Sequence, residues 1–144
     1  MIVSSQELVS HIKKLHLERK DGKARKEKRK SLTHKERVAV LEKTNYRCHI
    51  CGTSVTVNDF QADHVKSYIS GGNHAIDNYL PSCFTCNNYK WHYLPEEIQM
   101  ILKLGVWAKT QIEKETLLGK NIAEGFVKHE QQKLKRKSEK IKNI

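Results

Sequence analysis

Two C-x2-C pairs, Cys48/Cys51 and Cys83/Cys86, constrain this chain more than any other feature. Four thiolates at such spacing are the ligand set of a tetrahedral zinc site. The 31 residues between the pairs (52–82) must double back for all four sulfurs to meet, and Gly71-Gly72 supplies a turn where they can. Two disulfides or an iron–sulfur cluster would use the same residues. The opening MIVSSQELVSHIKK lacks the apolar core of a secretory signal, so paired spacing predicts a reduced, cytoplasmic setting and zinc. A zinc ion bound by four cysteines keeps no position for a substrate water, and any metal-assisted chemistry would need a second ion.

A metal staple suits the rest of the composition. The chain has 144 residues, 38% hydrophobic and 30% charged, which predicts one domain with a modest core. No run approaches 18 apolar residues, so no membrane span is expected. The net charge of +11 is concentrated at the two ends. Residues 1–37 carry 12 basic and 5 acidic side chains, and residues 128–144 carry 7 and 2, while the central ninety are close to neutral. Flanks of this sign suit a polyanion such as DNA or RNA; solvated tails are the plainer alternative.

Local patterns divide the chain into three parts. Residues 1–37 read as a basic helix and linker, with Leu8, Ile12 and Leu15 at helical spacing over 4–17 and a charged stretch over 18–32. Residues 38–94 form the zinc-stapled core. Thr33 and Glu36 make a capping box that opens a helix burying Val38 and Leu41 on its way to the first cysteine pair. A strand is expected within 60–68, a turn at 70–73, and a helix over NNYKWHYL after Cys86. Residues 95–144 read as a helical extension with a basic tail. Pro95 starts a helix with Ile98, Ile101, Leu102 and Val106 on one face, and Gly105 is a candidate break. A separate helix over Trp107–Thr116 burying Ile112, and another after Gly119, would follow.

Inside the cysteine frame lie ADHVKSYISGG and then DNYLPSCFTCNNYK. The ordered set Asp63-His64, Gly71-Gly72, Asn78 and Asn87 resembles the HNH endonucleases, over about residues 46–91. Asn87 stands where many members have histidine, as in the HNN form of that centre. Ser67 stands where a proline is common. The resemblance implies an α+β fold: a small ββα-metal nuclease core stapled by zinc, with helices on both sides.

It also implies roles. His64 would be the general base that activates water, and an ordinary imidazole pKa of about 6.5 suits that task. Asp63 and Asn87 would hold one divalent ion, Mg²⁺ or Mn²⁺, through oxygen. Asn78 would tie the loop and align His64. The implied activity is hydrolysis of DNA phosphodiesters to 5′-phosphate and 3′-hydroxyl ends. A monomer would nick and a symmetric homodimer would give paired cuts.

Taken singly, Asp63 reads as a turn or surface acid, His64 as a hydrogen-bonded surface residue and Asn87 as a helix cap. Lys90 is a candidate phosphate contact or a solvated lysine. His74 is a candidate phosphate contact in a polar turn, and His49 sits inside the first cysteine pair. Tyr89, Trp91 and Tyr93 suit either stacking on bases or packing against the C-terminal helices. A noncatalytic zinc-dependent nucleic-acid-binding protein and an RNA-directed nuclease remain the alternatives.

Overall fold

A computed structural model describes residues 4–22 and 30–142. The elements are α1 (Ser5–Gly22), α2 (His34–Glu42), β1 (Gln61–His64), β2 (Tyr79–Ser82), α3 (Phe84–Lys90), α4 (Pro95–Glu113) and α5 (Leu117–Lys142), in that order. No helix is long and apolar enough to cross a membrane among the described residues. The chain forms two compact units, Met1–Ile98 and Gln99–Ile144.

The first unit is a small α+β fold whose centre is a ββα arrangement of β1, β2 and α3. β1 and β2 are antiparallel, with Asp63 opposite Leu80 and His64 opposite Tyr79. Val40, Leu41, Cys48, Val55, Phe60, Ala62 and Tyr79 make its buried core. The Thr33 capping box forms as its sequence requires, with Glu36 N–H donating to Thr33 Oγ1 and Thr33 N–H to Glu36 Oε2. Val40 and Leu41 are the residues α2 buries, and Val38 is only half-buried. Cys48 belongs to the same core, so the first cysteine pair is anchored in it.

Several boundaries differ from the sequence reading. α1 runs through the charged residues to Gly22 because Arg19 is buried, not solvated: Nε donates to both Glu97 oxygens at 3.1 and 3.0 Å. The guanidinium also lies over the rings of Trp91 and Tyr93. Those two aromatics therefore grip an arginine. Residues 23–29 of the expected basic linker lie outside the described residues. β1 stops at His64: Val65 N–H still bonds the Asn78 carbonyl in register, but Lys66 N–H goes to the Asn78 side chain. β2 includes Pro81, which pairs with Ala62 in a two-stranded sheet where each strand is an edge. α3 starts at Phe84, three residues before the expected segment, because the Cys83 sulfur caps it.

In the second unit, α4 continues straight through Gly105 to Glu113, and no separate helix begins at Trp107. A single glycine costs a helix only about 1 kcal/mol, too little to end one whose neighbours favour it. Ile112 is 39% exposed, against the expectation of burial. α5 begins before Gly119, which packs so tightly on the end of α4 that a Cβ would lie 2.0 Å from the Gln111 carbonyl oxygen.

Candidate active site

The cysteine cluster comes first because it fixes everything near it. Cys48 and Cys51 lie on a tight turn closed by Cys48 N–H to Thr53 O and by Gly52, whose φ of 75° a side chain would resist. His49 N–H donates to the Pro81 carbonyl, tying this turn to β2. β2 then leads directly into Cys83 and Cys86 at the start of α3. All four Sγ atoms lie within 4.8 Å of one another, with Cys51 and Cys83 at 3.9 Å. Zinc–sulfur bonds of about 2.3 Å place tetrahedral sulfurs about 3.8 Å apart. The cluster thus fits a structural metal such as Zn²⁺.

The thiols are electrostatically unequal. Thr53, through its hydroxyl and backbone, with help from Cys48 and Cys86, brings Cys51 down to about 6. Burial resists ionisation of Cys48, but amides of Cys51, Cys83 and Ile50 outweigh it and lower its value. Burial and the three other sulfurs push Cys86 up. Anionic sulfur accumulating at one point is what a dication relieves.

Beside the cluster, β1 delivers Asp63 and His64 to different partners, as adjacent strand residues should be. Asp63, 6% exposed, turns towards α3 and the first cysteine turn. Its Oδ2 takes hydrogen bonds from Lys90 Nζ at 2.6 Å and pairs with His49 Nε2 at 2.7 Å. Burial works against the charged carboxylate, yet His49 and Lys90 outweigh it and hold the Asp63 carboxyl below its ordinary value. Both donors bear on Oδ2. Lys90 Nζ also donates to the His64 carbonyl at 2.6 Å, so α3 is laced to two successive residues of β1.

The His64 ring lies on Tyr79, with centroids 4.7 Å apart, and its Nε2 is 3.0 Å from His74 Nδ1. Asn78 closes the loop between the strands. Its Oδ1 accepts from Lys66 N–H, and its Nδ2 donates to the Lys66 and Asn73 carbonyls, all at 2.9 Å. Gly72 is wedged into this closure, where a Cβ would stand 1.8 Å from Lys66 O. Asn87 is half-buried on α3, three residues before Lys90 and therefore on the same side of the helix.

The structure brings Asp63 to His49 and Lys90, His64 to His74 and Tyr79, and Asn78 to the loop it spans. The sequence places His49 inside the first cysteine pair without a role, and reads Lys90 and His74 as candidate phosphate contacts; their bonds to Asp63 and His64 are not legible there. His49 had one usable signal: it follows Cys48 directly, so the metal turn itself aims it. A Lys90 phosphate contact and the Asp63 bond draw on the same ammonium.

Residues 48–103 match the family model described as HNH endonuclease. No curated protein matches the chain.

Proposed function

Starting from the HNH-endonuclease fold of residues 48–103, we propose that this protein is a metal-dependent DNA endonuclease. One observation carries the reading: an acid kept ionised while buried on β1, Asp63, is bonded by Lys90 of the helix that bears Asn87 and by His49 of the first cysteine turn. Buried carboxylates are costly unless they serve a charge.

Asp63 and Asn87 are the residues that would hold a divalent ion. Carboxylate and amide oxygens suit Mg²⁺ or Mn²⁺. Bound there, such an ion would offset charge on the phosphate oxygens and on the departing 3′ oxygen. His64 would take a proton from water as its oxygen bonds to phosphorus. The bond from phosphorus to the 3′ oxygen breaks, that oxygen acquires a proton, and the ends are 5′-phosphate and 3′-hydroxyl. Asn78 holds the loop that follows His64, and so holds the ring's approach.

The basic side chains at 1–37 and 128–144 supply charge for the DNA backbone. A noncatalytic nucleic-acid-binding role draws on a different observation, that Asp63 is already satisfied by His49 and Lys90. Supercoiled plasmid incubated with the protein separates the two. The proposal expects nicked or linear product with Mg²⁺ or Mn²⁺, none with EDTA, and nicks that DNA ligase reseals. Bound but uncut plasmid under every metal condition would favour the binding protein, and cleavage of RNA alone would redirect the substrate.

A further inference from the structure

His74 lies ten residues beyond His64 in the glycine loop, and the fold turns it inward. Its Nδ1 is 3.0 Å from His64 Nε2 and 3.3 Å from the Tyr79 hydroxyl. Tyr68 stacks on its ring almost in parallel, with centroids 5.0 Å apart and an interplanar angle of 9°. His74 Nε2 is buried, with no hydrogen-bond partner among the described residues. The ring is therefore placed by one stacked face and by one nitrogen directed at His64 and Tyr79. Asn78 and Gly72 fix the loop around it, through the Asn73 carbonyl and the close approach to Lys66.

We propose that His74 is a positioning residue for His64, acting by accepting a hydrogen bond from His64 Nε2. This deepens the nuclease reading and rests on His64 being its base. With Nε2 engaged by His74, proton transfer from water falls to the other ring nitrogen, Nδ1. A neutral imidazole that accepts at Nδ1 must carry its proton on Nε2. His64 then holds the Nε2–H tautomer, and His74 accepts through a bare Nδ1. The proton of a neutral His74 is then on its Nε2. The partner that sets a functional imidazole's tautomer also sets its orientation.

Two variants separate this role from simple packing. His74→Phe keeps a ring for Tyr68 to stack on but removes Nδ1. His74→Asn loses the ring but keeps a polar atom near the Nδ1 position. Each variant, with zinc content and DNA affinity matched to wild type, is compared in plasmid cleavage. His74→Phe is expected to lose about 10- to 100-fold in kcat with KM little changed, and His74→Asn to regain most of it. Equal kcat in wild type and His74→Phe overturns the proposal, as does failure of His74→Asn to exceed His74→Phe.

Nitrogen-15 imidazole spectra of the wild type provide a reading that does not depend on cleavage. His64 is expected as a single Nε2–H tautomer; an Nδ1–H tautomer overturns the proposal even if the enzyme is active. Wild-type protein that cuts no DNA while His64 shows the Nε2–H form would sink the nuclease reading and leave the histidine pair standing.

Discussion

Lys90 Nζ stands 2.6 Å from Asp63 Oδ2, and the same ammonium reaches the His64 carbonyl at equal distance. One side chain from α3 thus neutralises a buried acid and fastens the strand that carries it. Replacing Lys90 by Met would remove a charge-assisted hydrogen bond from a carboxylate that has left water. The expected loss is about 2 kcal/mol of stability near neutral pH, read from urea unfolding.

The same variant has a pH signature. The Asp63 carboxyl sits below its ordinary value when folded. It therefore contributes stability above the unfolded value of about 3.9, and that contribution fades as pH falls through the lower folded value. Without Lys90 the folded value rises towards the unfolded one. Acid unfolding followed by circular dichroism is expected to begin at higher pH in Lys90→Met than in wild type. Identical acid profiles would mean the ion pair contributes nothing.

The cysteine cluster should behave as a structural element. Replacing Cys48 or Cys83 by Ser is expected to lower bound zinc from one equivalent per chain and to abolish cooperative unfolding of the first unit, because Cys48 is part of its core. Atomic absorption with thermal melts checks both together. Full zinc loss with an unchanged melt would separate the metal from the fold.

Arg19 and Glu97 form a buried pair, with side chains 8% and 10% exposed. Truncating Arg19 to Met would leave Glu97 without its charge partner, and a broken buried pair typically costs about 3–5 kcal/mol. Glu97 also accepts from Leu94 N–H, so it retains one contact, and the lower end of that range is expected in thermal unfolding. A double variant with Glu97→Gln should recover part of the loss.

The parts visible in the sequence were those whose cause is local or chemically obligatory. Thr33 and Glu36 close their capping box within one helical turn, and four thiolates need a fixed spacing to meet at one ion. Asn78 closes its loop through three hydrogen bonds to Lys66 and Asn73, all within twelve residues of it in the chain. The parts that stayed hidden depend on distant partners. Arg19 reads as one more charge in a basic run until Glu97, 78 residues away, meets it. His49 and His74 acquire partners only when the cysteine turn and the glycine loop fold back against β1. The end of β1 at His64 comes from the same closure, since nothing in Val65-Lys66 forbids further strand. α4 passes through Gly105 because one glycine costs too little to end a helix, and no described atom lies within 4 Å of where its Cβ would be, so the glycine meets no packing need there.

Single-turnover cleavage of supercoiled plasmid by wild type and His64→Ala, at equal zinc content and saturating Mn²⁺ or Mg²⁺, tests the central claim most directly. A general base contributes about 10²- to 10⁴-fold, so the variant should be slower by at least the lower figure while binding DNA as wild type does. Cleavage by His64→Ala at the wild-type rate would contradict the account.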